Sequence, residues 1–274
     1  VKSIEHITNA MKLVSSAKLR KAKSVYENSN KYLAFINDTI EDILSRASDD
    51  ACSKNNAQKR TCYIIITSNG GLCGSFSSNI IKRVMAYIND DEKSGKLPPA
   101  LVVIGSKGRD YYKKRGYEII SEYLYPPENI TFEEVHNLCM LFLKMYEEAE
   151  IDEIKLVYNS FIDSLQQKVN VITLLPYDNK NDTAAEKKNK YIEYEPSGTA
   201  VFDYIIPKYA QIVLYGSIIE SATCEHAARR IAMENATDNA SEMINELKME
   251  FNAVRQAAIT NEISEIVRGS EALK

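Results

Sequence analysis

The stretch TSNGGLCGSF, residues 67–76, is the first place in the chain where spacing suggests chemistry. It follows the apolar run CYIII at 62–66 and precedes the helical-looking SSNIIKRVMAYIND. A strand feeding a glycine-rich turn that opens a helix is a common way to hold phosphate. A P-loop, however, needs a lysine after its last glycine to neutralise phosphate charge, and Gly74 is followed by Ser75 and Phe76. A dinucleotide fingerprint needs G-x-G-x-x-G, and Gly70, Gly71 and Gly74 are spaced otherwise. Cys73 stands where turn amides could activate a thiolate. A phosphatase-like loop would then want arginine six positions on, where Asn79 stands, and no histidine is nearby. A nucleotide-binding or Cys-dependent α/β enzyme is thus the alternative reading, and a structural turn the stronger one.

Other candidates are thinner. Cys224 and His226 could touch one metal together, but two ligands do not make a site. His136 lies on an apolar helix pattern. SKGRDYYKKRGY (106–117) mixes basic and aromatic residues as single-strand binders do, yet also reads as a solvated helix after a strand. No catalytic residue, metal ligand or cofactor site is assigned. The five cysteines are scattered, with no C-x-x-C pair, which fits reduced thiols in a cytosolic protein.

The elements around these residues fall into three segments. All seven prolines lie between Pro98 and Pro207, leaving both ends free for long helices. At the N-terminus, Ile4, Ile7, Met11 and Val14, with Ala10, Leu13 and Ala17, recur at three- and four-residue steps. The pattern predicts a helix over 1–46, followed by a polar linker. At the C-terminus, Ala236, Ala240, Met243, Leu247, Phe251, Val254 and Ala258 step by an average of 3.5, which describes a coiled-coil seam. A helix is expected from about 211 to 268, within a C-terminal segment of 208–274 that pairs with 1–46. Two such helices should protrude, and a protruding apolar seam must be covered by another protein.

The middle, 60–195, reads as an α/β domain. CYIII (62–66), ALVVIG (100–105), YEIIS (117–121), IKLVYNSF (154–161) and KVNVITLLP (168–176) look like strands. Helical stretches at 79–89, 108–115 and 131–150 alternate with them, so a largely parallel, Rossmann-like sheet is expected. KYIEYEP (190–196) suggests an edge strand, and DNKNDTAAEKKNK a surface loop. The fold class is therefore α/β: a long antiparallel coiled coil of the terminal helices plus a Rossmann-like domain.

The net charge of −4 argues against a general nucleic-acid binder. Residues 1–31 nevertheless carry seven Lys/Arg against two Glu, while 220–274 carry six against ten acidic residues. No run approaches the ~18 apolar residues of a membrane span. The chain opens on Val1 in an amphipathic pattern rather than a signal peptide, and residues upstream are expected to have been removed or to be missing.

Both ends and the glycine loop resemble one family, the gamma subunits of F-type ATP synthases. VKSIEHITNAMKLVSSAKLRKAK resembles its I-x-x-T-x-K-I-T-x-A-M-x-x-V-A-A-x-K-x-R-x-A stretch, and TSNGGLCGSF its S-D-R-G-L-C-G signature. GSKGRDYYKKRG, VYNSFIDSLQQKV and YIEYEP fall in the family's order, and the segment from Glu220 to Leu273 resembles its C-terminal signature almost throughout. The resemblance implies a central rotor shaft, one copy per complex. Its paired terminal helices enter the ring of alpha and beta subunits, and its α/β domain touches the epsilon subunit and the c-subunit ring. Catalysis lies on beta, so the chain itself is no enzyme.

The resemblance also carries site residues over. Arg255 and Gln256, with Thr260, match family residues that bond a loop of the catalytic subunit. Lys18, Leu19 and Arg20 lie where the shaft meets an acidic helix-turn-helix of beta. Tyr194 and Glu195 are weaker candidates for the c ring. The implied location is peripheral, on the cytoplasmic side of a bacterial inner or plasma membrane, held through the complex. Asn69 and Gly70 depart from the family's Asp and Arg, Cys224 from Ser, and Ala253 from a frequent Arg.

Overall fold

A computed structural model describes residues 1–46, 59–124, 126, 129–176 and 198–272. Five strands form one sheet in the order β3-β2-β1-β4-β5. β1 (Thr61–Ile66), β2 (Ala100–Ile104), β3 (Ile119–Tyr123) and β4 (Glu153–Phe161) are parallel, and β5 (Gln167–Leu175) closes one edge antiparallel. β1 and β2 are buried along their whole length, which is why both read as unbroken apolar runs rather than alternating ones.

Helices cover both faces. α2 (Phe76–Lys93) and α3 (Ser106–Lys113) enclose Tyr63, Ile65, Leu101 and Val103 on one side. α4 (Phe132–Glu147) and the lower part of α5 (Gly198–Ala272) enclose Ile64, Val102 and Leu156 on the other. α4 starts in a capping box: the Glu134 amide donates to Thr131 Oγ1 while the Thr131 amide donates to the Glu134 carboxylate. Those bonds to Thr131 hold the Glu134 carboxyl below its usual range.

At the N-terminal edge of the sheet an ionic cluster ties α2 to β1 and β4. Lys96 Nζ lies 2.8 Å from Asp91 and 2.9 Å from Glu153, and Lys155 pairs with Glu153 at 2.9 Å. The Tyr63 hydroxyl donates to Asp91 at 2.5 Å. Burial alone would raise both carboxyls, but hydrogen bonds from Lys96, Tyr63 and Lys155 outweigh it and hold them low. Burial would likewise lower Lys96, and its two carboxylate partners raise it instead.

α1 (Lys2–Arg46) and α5 pack antiparallel, with 45 and 75 residues, roughly 65 and 110 Å at 1.5 Å per residue. Thr237 Oγ1 donates to Thr8 Oγ1 at 2.8 Å, and Ser241 Oγ donates to Glu5 at 3.0 Å. α5 begins at Gly198, earlier than the proline-free reading expects, and runs through Pro207. A helical proline costs about 3 kcal/mol. Burial of Tyr209, Ala210, Ile212, Leu214 and Ile218 on the sheet immediately afterwards offsets it.

The seam of α1 also differs from the expected one. Thr8, Ser15, Leu19 and Ala22 are buried against α5, whereas Ile4, Ile7, Leu13 and Val14 face outward. The small residues allow the two backbones to approach, and the apolar stripe is left for another surface. On α5 the buried set is Met233, Ala240 and Ile244, while Met243, Leu247, Phe251 and Val254 are exposed. The suggested edge strand at 190–196 and the loop at 178–190 lie outside the described residues.

Candidate partner interface

The glycine loop is built as a joint. Thr67 continues β1 by donating its amide to the Ile104 carbonyl at 2.7 Å, and its Oγ1 accepts from the Gly108 amide at 3.0 Å. Gly105 has φ +103°, and a Cβ there would sit 2.1 Å from the Thr67 carbonyl oxygen, so only glycine fits. Asn69 Oδ1 accepts from the Ser106 amide at 2.8 Å, capping α3 with the acceptor that an aspartate would supply. Leu72 adopts φ +61° and is exposed at the loop tip.

From the other side α5 reaches in. Arg229 donates to the Gly71 carbonyl at 3.3 Å and to buried Glu225 at 2.6 Å. Its guanidinium lies 3.3 Å from the position a Cβ on Gly70 would take. The cation beside the loop is thus engaged with protein groups, and the loop carries no lysine or arginine of its own. Cys73 is 5% exposed and donates weakly to Ser68 Oγ, buried rather than offered to a substrate. His226 is 3% exposed, and no cluster of three metal-ligating residues occurs among the described residues.

A second joint lies below. The Glu220 carboxylate accepts from Ser160 Oγ and the Phe161 amide, both at 2.8 Å. Tyr26 of α1 stands edge-on to Phe161 at 6.0 Å, and burial together with the Glu220 charge pushes its hydroxyl up to about 12. Gln167 donates to the Cys224 carbonyl at 2.8 Å. Between these joints, 221–227 of α5 are buried on every side of the helix. Sequence reading missed Arg229 and Glu220, because polar contacts across long chain separations leave no periodic trace. The run SATCEHAA of mostly small residues was the available signal.

The residues expected to meet partners fall into two groups far apart. Lys18 and Arg20 are exposed on α1, with Lys21 and Lys23 beside them. Leu19 between them is buried in the seam against α5, so the outer surface there is cationic without it. Arg255, Gln256 and Thr260 are exposed on α5, Thr260 Oγ1 donating to the Gln256 carbonyl at 2.8 Å. The antiparallel register sets Lys18 level with about residue 228, so Arg255 lies ~40 Å further along the helix. Tyr194 and Glu195 lie outside the described residues.

Beyond Ile244 every described side chain of α5 is exposed. Leu247, Met249, Phe251, Val254, Ile259, Ile263, Ile266 and Val267 are distributed around this bare end, Ile266 being 72% exposed. A solvated helix end does not carry such a set, and an apolar surface of this kind marks an interface. With cations at its middle and an apolar end, the helix pair can bind other chains along its length.

Comparison with known proteins agrees in kind. A family model described as ATP synthase matches residues 1–273. The ATP synthase gamma chain of Alkaliphilus metalliredigens is 40% identical, covering 100% of this chain and 95% of that relative. That of Brevibacillus brevis is 39% identical over 99% of this chain and 94% of its own length. Among solved structures, a central stalk and c-ring chain of the Tetrahymena thermophila mitochondrial ATP synthase superposes with TM-score 0.62 at 24% identity. The match covers 84% of this chain and 99% of that one, a likeness of fold.

Proposed function

The chain belongs to the family of ATP synthase gamma chains, and we propose that it serves as the central shaft coupling rotation to ATP synthesis or hydrolysis on the alpha and beta subunits. It is a non-catalytic stalk subunit; the reaction belongs to its neighbours. The observation that carries this reading is the far end of α5, helical and apolar, where every described side chain beyond Ile244 is exposed. Such a surface is stable only inside other protein.

On this reading Arg255, Gln256 and Thr260 hydrogen-bond the catalytic subunits near the shaft's end. Lys18 and Arg20 meet an acidic segment of beta, where opposite charge sets register more than affinity. The α/β domain, fixed to the shaft by Arg229 and Glu220, faces the epsilon subunit and the c ring, with Tyr194 and Glu195 as contacts of the ring. No described helix is long and apolar enough to cross a membrane. Attachment to a bacterial inner or plasma membrane, on its cytoplasmic side, then comes through the complex.

Reconstitution with the matching alpha and beta subunits tests the proposal. One copy of the chain should enter a complex with restored ATPase activity, and Arg255→Ala should lower that activity while the chain stays folded. A chain that fails to co-assemble, or leaves ATPase activity unchanged, overturns the reading.

A further inference from the structure

The stretch 106–117 has no part in the shaft, yet it builds a cationic face. α3 packs on β2 and β3 beside α2, on the sheet face opposite α4 and lower α5. Lys107, Arg109, Lys113, Lys114 and Arg115 stand against Asp110 alone, a local charge of +4 (five cations less one acid) in a chain of net −4. Asp110 is taken by Arg109 at 2.8 Å, and Glu92 of α2 borders the patch, its charge acting on Tyr117. Among the described residues Lys107, Lys113, Lys114 and Arg115 have no carboxylate within 4.0 Å, and Lys113, Lys114 and Arg115 are exposed together.

What backs these cations distinguishes the face from a solvated helix. The Arg115 guanidinium lies over the Tyr111 ring, its central carbon 3.7 Å from the centroid. Tyr111 stands edge-on to buried Tyr112 at 5.2 Å, and Tyr112 edge-on to Tyr117 at 5.8 Å. A guanidinium held on a ring is already ordered, and its edge presents a fork of donors matched to a carboxylate. Nucleic-acid bases would need an open ring face, but Arg115 covers Tyr111 and Tyr112 is buried. A membrane surface would call for an apolar anchor, and the exposed side chains of 106–117 are all charged.

We propose that the end of α3, centred on Arg115 with Lys113 and Lys114, is a docking surface for an acidic protein segment. Carboxylates of a run of Asp and Glu would bridge the Arg115 fork and the two ammonium groups beside it. This surface is separate from α1 and α5, so it stands whether or not the shaft contacts above are right.

The test uses the full chain with Lys18, Lys21 and Lys23 changed to Ala, which removes the competing cations of α1. Labelled deca-glutamate is titrated at low salt and followed by fluorescence anisotropy, with circular dichroism confirming the fold of each variant. Adding K113A, K114A and R115A should weaken binding by at least about tenfold. R115K alone, which keeps the charge but loses the fork, should weaken it about threefold or more. Unchanged affinity in the triple variant, or an R115K protein equal to its parent, overturns the proposal. So does binding of oligo-dT or phosphatidylserine vesicles that matches the peptide in strength and in sensitivity to the triple variant.

Discussion

Two stretches of the same helix live in opposite surroundings. Residues 221–227 of α5 are enclosed by α1 and the sheet, while beyond Ile244 every described side chain is exposed. The enclosed stretch is mostly small residues and the bare one carries Leu247, Phe251 and Val254. Small size here marks burial within the chain, and the exposed apolar set marks a surface suited to other protein. A helix crowded on all sides must be thin.

That contrast can be broken at several points. The largest effect is expected at the clamp between loop and shaft. Arg229→Met leaves Glu225, 6% exposed, without its 2.6 Å partner, and should cost about 3 kcal/mol in urea unfolding of the free chain. Next, Ala227→Leu forces extra carbons into a fully buried site and should cost about 1–3 kcal/mol in the same experiment. If either variant unfolds like its parent, the enclosed stretch is not the rigid seat of the shaft.

The ionic cluster is expected to give a smaller, pH-dependent effect. Asp91 and Glu153 have lowered pKa values, so their stabilisation is present above the ordinary carboxyl range and is lost as pH falls through the folded values. Lys96 is raised, so its share is present below its ordinary 10.5 and is lost only as pH rises beyond that. Lys96→Met should therefore cost about 1 kcal/mol at neutral pH, discounted for partial exposure, with the deficit shrinking below pH 4.5. A deficit that stays constant into acid would assign the effect to packing. The smallest change in the free chain is expected for Leu247→Ala or Val254→Ala at the bare end, within about 0.5 kcal/mol. The same substitutions should clearly weaken assembly with the alpha and beta subunits.

The sheet was legible in the sequence because buried parallel strands are written as β-branched runs; CYIII (62–66) and ALVVIG (100–105) each come within one residue of β1 and β2. The glycine loop was also readable as a turn, since a phosphate site makes demands that Ser75 and Asn79 fail. The seam of α1 was not legible. Ile4, Ile7 and Val14 carry the strongest periodic signal, but Thr8 and Ser15 occupy the contact with α5. Periodicity finds the apolar face without saying which molecule covers it. Leu19 illustrates the same limit at one residue, buried by α5 between two exposed cations. The start of α5 was hidden by Pro207, whose cost is met by packing that no local rule records.

Amide hydrogen exchange of residues 246–270, in the free chain and after assembly with the alpha and beta subunits, tests the central claim most directly. Assembly should slow exchange there by at least about tenfold, while 221–227, already enclosed, stay as protected as before. Equal exchange of 246–270 in both states would mean that this end is not covered by the hexamer, and the shaft reading would fail.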